Sequence, residues 1–220
     1  IEREHEVVDN EDDADVVVIN TCSVKGPTER KILYRIEKLR EKGRKIVLCG
    51  CLPKINGVED FVCVDTRSIG KINEAINAAY SGEIKSFVGQ PEDKKSEYQT
   101  SSSGIIVRVP ICEGCNMNCT YCAARIARGK LFSYPLDKIR ARIENAVRNG
   151  AKEIQITGQD VGAFGLDNGK KLEDILDLIN SIDGDFMVRF GMVNPAYIHR
   201  IPLEMFENEK IYKFLHLPIQ

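Results

Sequence analysis

From Asp15 onward, short apolar runs alternate with amphipathic stretches. Asp15-Val-Val-Val-Ile19 is β-branched and bounded by acids and Asn20, which predicts a buried parallel strand. A helix is expected next, with Pro27 near its start, Gly43 as its stop, and Ile32, Leu33, Ile36 and Leu39 on one face. Lys45–Leu48 and Phe61–Val64 predict further strands, and Ser68–Tyr80 a second helix carrying Ile69, Ile72, Ile76 and Ala79. Residues 90–103 are polar and charged without periodicity, and read as a linker. The rhythm restarts at Gly104. Strands are expected at Ile105–Val109, Glu153–Thr157, Phe186–Phe190 and Tyr212–Leu215, with helices over Pro135–Asn149 and Leu172–Ile182. The fold class is therefore α/β. A parallel-sheet domain of flavodoxin or Rossmann type is expected over residues 1–89, then the linker 90–103, then part of a (βα) barrel over 104–220.

Composition narrows the setting. The 220 residues are 43% hydrophobic and 29% charged, as in folded proteins. No apolar run approaches the roughly 18 residues of a membrane span, and no signal-peptide pattern is present. Eight cysteines outside a secreted context read better as metal ligands than as disulfides, so a cytoplasmic location is expected. The net charge of −2 gives no global sign of nucleic-acid binding. Arg125, Arg128 and Lys130, and Lys138, Arg140, Arg142 and Arg148 on the expected helix, read first as a solvated face. The chain opens in a polar segment and stops just past an apparent strand, which reads as part of a longer protein.

The chemistry centres on Cys112-Glu-Gly-Cys-Asn-Met-Asn-Cys-Thr-Tyr-Cys122, directly after the strand 105–109. Cys115, Cys119 and Cys122 stand as Cys-x3-Cys-x2-Cys. Three thiolates on one loop suit three irons of a cubane cluster and leave the fourth iron open. Zinc prefers two Cys-x2-Cys pairs about 12 to 20 residues apart, whereas Cys112-x2-Cys115 and Cys119-x2-Cys122 are separated by three. A zinc-stabilised binding module is thus the weaker reading, and Cys112 reads as a buried small residue.

The loop Thr157-Gly-Gln-Asp160 and its continuation to Gly165 lie past the second strand of the barrel, Gly191–Pro195 past the third, and His216-Leu-Pro-Ile-Gln220 past the fourth. Barrel chemistry gathers at that rim. The glycines of the first of these loops are expected to let the backbone approach a ligand closely. Cys22 and Cys51 each follow a strand of the first domain, while Cys49 and Cys63 fall within strand patterns and read as core.

Taken together, Asn20-Thr-Cys22-Ser-Val-Lys, Cys49-Gly-Cys51-Leu-Pro53 and the cysteine triplet resemble the methylthiotransferase family of radical S-adenosylmethionine (SAM) enzymes. The resemblance runs from about Asp15 to Gln220. It implies two [4Fe-4S] clusters: one on Cys115, Cys119 and Cys122 that binds SAM at its open iron, and an auxiliary one on Cys22, Cys51 and a third cysteine expected upstream of Ile1. It further implies that Tyr121, Thr157, Gly158, Gln159, Asp160, Arg189 and Asn194 cradle SAM, and that His216 and Gln220 face the substrate base.

The stretches 127–135, 157–165 and 189–195 resemble the archaeal and eukaryotic branch. That branch implies 2-methylthiolation of N6-threonylcarbamoyladenosine at position 37 of tRNA, in the anticodon loop. A flavodoxin or ferredoxin is the implied electron donor, and no membrane is involved. The alternatives within the family are an isopentenyladenosine tRNA or a ribosomal protein as substrate.

Overall fold

The structure, a computed structural model, describes residues 4–23, 26–55, 58–89 and 104–219. The expected linker 90–103 and Gln220 lie outside the described residues. The chain divides into two compact units, Ile1–Lys95 with Asn118–Gly129, and Ser96–Met117 with Lys130–Gln220.

In the first unit, β1 (Val16–Thr21), β2 (Lys45–Gly50), β3 (Val62–Asp65) and β4 (Ser86–Phe87) form one sheet in that order, every pair parallel. Both faces are covered, as a parallel sheet requires. Ile46 and Leu48 of β2 pack with Val17, Ile19 and Cys63 against Ile36 and Leu39 of α1 (Gly26–Glu41). The alternate residues Val47 and Cys49 pack with Val62, Val64 and Phe87 against Ala75, Ile76, Ala78 and Ala79 of α3 (Ile72–Ser81). The period of two along each strand sorts the side chains to the two helices. Leu33, expected on the buried face of α1, is 41% exposed; Ile36 and Leu39 carry that face. The two-residue β4 is too short to show any periodicity, and it escapes the sequence pattern. Within this unit the short α2 (Leu52–Ile55) packs on α4 (Ala123–Arg128), and Thr66 Oγ1 donates to the carbonyl of Ala127 at 3.3 Å.

In the second unit, β5 (Ile106–Pro110) leads into β6 (Cys112–Glu113), which pairs antiparallel with β7 (Phe132–Ser133). Helix α5 (Leu136–Arg148) then connects to β8 (Glu153–Thr157), and α6 (Leu172–Asn180) to β9 (Met187–Phe190). The parallel order is β5-β8-β9, with Val109, Ile156 and Phe190 in register. Val107, Val109, Ile154, Ile156, Val188 and Phe190 pack with Ile139 and Ile143 of α5 and Ile175 and Ile179 of α6 in one core.

The expected fourth strand, Tyr212–Leu215, does not form. Two isolated parallel bridges stand in its place, Val188 with Ile211 and Met192 with His216. Three residues lie between the bridged positions on one side and four on the other, so one residue is surplus, as in a bulge. The surplus is taken up where Phe214 N donates to Tyr212 O at 2.7 Å, a tight turn incompatible with a continuous ladder.

Candidate functional site

In the second unit the carboxyl ends of β5, β8 and β9 point their loops to one rim, where parallel sheets build sites. Cys112 does not belong to the open part of it. The residue is 1% exposed, its Sγ donates to the carbonyl of Asp160 at 3.4 Å, and burial, then the Asp160 carboxylate, pushes its thiol up to about 12. A metal ligand must shed its proton, so Cys112 is a poor fourth ligand for zinc. Cys49 and Cys63 are likewise buried, their thiols pushed up to about 11 by burial.

Cys115, Cys119 and Cys122 differ from these: all three are half-buried and none is in a disulfide. The Cys115 Sγ accepts from Met117 N at 3.4 Å. Cys122 N donates to Cys119 O at 3.2 Å, and Cys122, in extended conformation, precedes the first turn of α4. Tyr121 is 66% exposed, and desolvation, then its neighbour Cys119, pushes its phenol up. Among the described residues no three His, Cys, Asp or Glu side chains stand close enough to hold a metal ion. The donor set itself fits an iron–sulfur cluster: three half-buried thiols, none in a disulfide, at short spacing after a strand.

The residues expected to cradle SAM have defined partners. Gln159 Oε1 accepts from Gly114 N at 2.8 Å, tying the loop after β8 to the start of the cysteine loop. Asn194 accepts through its side chain from Ala196 N at 2.9 Å and starts the 3-10 turn Pro195–Arg200. Arg189, half-buried on β9, lies over the ring of Phe214 at 4.6 Å. His216 is exposed on its side chain, and its carbonyl accepts from Val193 N at 3.0 Å. Thr157 and Gly158 are half-buried.

The glycines of this loop are required by packing. A Cβ on Gly158 would lie 2.7 Å from Cys112 Sγ, one on Gly162 2.7 Å from Val193 Cγ1, and one on Gly165 1.9 Å from the Lys170 carbonyl oxygen. Close packing of protein against protein demands them. Gly165 also has φ +81°, where side chains are strained.

Asp160 is the buried charge of the rim, 1% exposed. Its Oδ1 accepts from Gly162 N at 3.1 Å and Asn194 N at 3.0 Å, while Oδ2 is buried with no partner among the described residues. Burial pushes its carboxyl above the usual range, against the pull of those backbone donors. Tyr197 and Arg200 are rim residues that the sequence does not announce. The Tyr197 phenol is pushed up by burial and by the charges of Asp160 and Cys115, and Arg200 donates to the carbonyls of Gly162 (3.0 Å) and Phe164 (2.9 Å). The turn signal Asn194-Pro195 marked the segment, but nothing local distinguishes these two side chains within it.

In the first unit, Thr21 pairs with Gly50, which places Cys22 and Cys51 next to one another just past the ends of β1 and β2. Cys51 N donates to Thr21 O at 3.2 Å and Leu52 N to Thr21 Oγ1 at 3.0 Å, locking the two strand ends. Gly50 has φ +103°, and a Cβ there would meet Thr21 O at 2.5 Å. The Cys-Gly-Cys order thus follows from the close approach of β1. Two cysteines are thus placed at adjacent strand ends, half-buried Cys22 and buried Cys51.

Compared with known families, residues 109–219 match the Radical SAM superfamily and residues 1–65 match a family described as Uncharacterized protein family UPF0004. A probable threonylcarbamoyladenosine tRNA methylthiotransferase of Methanothermobacter thermautotrophicus is 40% identical over all of this chain and 55% of its own length. One from Pyrococcus abyssi is 41% identical over 98% of this chain and 53% of its own. The Homo sapiens threonylcarbamoyladenosine tRNA methylthiotransferase is 32% identical over 98% and 40%. The chain spans about half the length of these archaeal relatives. Among solved structures, the cobalamin-dependent SAM radical enzyme OxsB superposes with a TM-score of 0.58 at 15% identity, over 86% of this chain and 32% of that one. The radical SAM methyltransferase TsrM from Kitasatospora setae does so at 0.54 and 13%, over 83% and 45%. Those two likenesses establish the fold. With just over half of its residues matched by the superfamily model, this chain belongs to the radical SAM superfamily.

Proposed function

We propose that the protein of which this chain is part methylthiolates tRNA, converting N6-threonylcarbamoyladenosine at position 37 to its 2-methylthio derivative. The observation that carries the reading is the half-buried, disulfide-unbonded triplet Cys115-x3-Cys119-x2-Cys122 after β5, in a chain whose 38–41% identical archaeal relatives bear that activity in their names. The C2–H of adenine is neither acidic nor electrophilic, so acid–base catalysis has no foothold and a cofactor must supply the hard step. A [4Fe-4S] cluster held by Cys115, Cys119 and Cys122 supplies, when bound, the electron that splits SAM into methionine and a 5′-deoxyadenosyl radical.

The chain's own side chains bind and orient. Thr157, Gly158, Gln159, Asn194 and Tyr121 line the SAM side, with Asp160 beneath the loop, and Arg189 helps to fix it. His216 and Gln220 face the base. Cys22 and Cys51, at adjacent strand ends, would give two of the three thiolates that hold an auxiliary cluster, whose chemistry would be sulfur supply. A flavodoxin or ferredoxin delivers electrons, and the setting is cytoplasmic; among the described residues no helix is long and apolar enough to cross a membrane.

The test is anaerobic reconstitution of the full-length protein with iron and sulfide, then iron counting and SAM cleavage after reduction. About eight irons per chain with 5′-deoxyadenosine formation supports two cubanes. Replacing Cys115, Cys119 or Cys122 by Ala should abolish cleavage, whereas C22A or C51A should block sulfur transfer to tRNA yet leave SAM cleavage. Stoichiometric zinc without cleavage overturns the reading. Cleavage with modification only of a ribosomal protein or an isopentenyladenosine tRNA overturns the substrate assignment alone.

A further inference from the structure

We propose that Asp160 and Arg200 form a clasp between the loops after β8 and β9, acting as positioning residues that hold the SAM-facing edge of the rim. The role toward SAM rests on the function proposed above; the clasp itself rests on geometry alone. Asp160 Oδ1 takes one backbone N–H from each loop, Gly162 at 3.1 Å and Asn194 at 3.0 Å. Its carbonyl takes the Cys112 thiol at 3.4 Å, so the segment leading to Cys115 is tied to the same residue. Arg200, on the loop after β9, reaches back with Nε and Nη2 to two carbonyls of the loop after β8, at 3.0 and 2.9 Å. Val161 N to Met192 O at 2.9 Å closes the seam.

Gly162 lies between Val193 and Tyr197 with no room for a Cβ, so the loops interlock as well as bond. Asp160 is 1% exposed, which leaves it no surface with which to touch a ligand directly. It acts through what it holds: Gln159 beside it and Asn194 across the seam, both on the side assigned to SAM. Holding two loops to within a fraction of an ångström is how positioning residues act on affinity and rate, since a misplacement of 1 Å costs about 100-fold.

The experiment uses the reconstituted full-length protein and measures SAM affinity by equilibrium dialysis, with KM and kcat for SAM cleavage, iron content, and amide exchange at Gly162 and Asn194. D160A and R200A should each raise the Kd and KM for SAM by about tenfold or more, with iron content retained. D160N keeps the Oδ1 acceptor and should recover most of what D160A loses. A purely structural residue would lower the yield of folded protein while the surviving enzyme kept its KM.

In D160A the amides of Gly162 and Asn194 should both exchange faster, one on each loop. Acceleration at only one of them overturns the clasp, as does unchanged SAM affinity in both alanine variants. D160N as impaired as D160A also overturns it, because charge rather than the shared acceptor would then matter. Should D160A not fold, R200A, which removes the two carbonyl bonds and leaves Asp160 in place, decides. If the unaltered protein fails to bind SAM, the functional reading falls, and the paired exchange rates still decide whether the clasp exists.

Discussion

A single methyl group at Gly162 should measurably destabilise the second unit. The Cβ of G162A would sit 2.7 Å from Val193 Cγ1 and 3.0 Å from Tyr197 Cβ. Neither neighbour yields easily. Val193 is fully buried, and Tyr197 Cβ is fixed to the backbone of a 3-10 turn. The glycine cannot back away either, because its N–H is held by Asp160 and its carbonyl by Arg200. Overpacking of this kind costs about 1–3 kcal/mol. For a chain of this size each kcal/mol shifts the midpoint by about 2–4 °C, so thermal unfolding should move down by roughly 2–12 °C. The assay is a melt followed by circular dichroism, with G26A as control. Gly26 is exposed, and a Cβ there would meet only the far end of Arg30 at 3.8 Å. G26A should be neutral or slightly stabilising. If G162A melts within about 1 °C of the parent, the loops are not interlocked as described, and the steric argument fails.

Two buried carboxylates should give opposite pH dependence. Burial disfavours the charge of Asp65, but hydrogen bonds from Gly89, Ser68 and Arg67 outweigh it and hold the carboxyl below its usual range. Its contribution is therefore complete above about pH 4 and lost as pH falls through the lowered value. The stability gap between parent and D65N should narrow below about pH 4 in melts across pH; a constant gap would contradict the assignment. For Asp160 the shift is upward, so its contribution is present at low pH and lost as pH rises. D160N should gain on the parent from about pH 4 upward, and no change in relative stability would refute the direction. Finally, Cys112 is packed in the core, so C112A should keep the iron content of the reconstituted parent while losing about 1–2 kcal/mol of stability. Loss of iron equal to that in C115A would make Cys112 a ligand.

Much of the architecture was legible because it depends on local pattern. The runs at 15–19, 45–48 and 153–157 are β-branched and short, and a parallel strand buried on both faces leaves that signature. The helices over 136–148 and 172–180 lie within a residue or two of where their apolar spacing places them. The cysteine triplet was legible for a different reason: its ligands lie on one loop, so spacing alone carries the chemistry.

What depends on two distant segments meeting was not legible. The strand expected at Tyr212–Leu215 has a suitable composition, yet a surplus residue against β9 breaks its ladder, and register is decided only by the partner. The glycines of 157–165 look in sequence like an opening for a ligand. Two of their neighbours, Cys112 and Val193, arrive from distant parts of the chain, and only folding shows that packing against them also demands glycine. The same holds for Asp160, whose hydrogen bonds come from both rim loops, and for Arg200, which has no motif of its own. Periodicity and ligand spacing are local properties of the chain and survive in its sequence. The sharing of one carboxylate oxygen between two loops is a tertiary event, decided when β8 and β9 align.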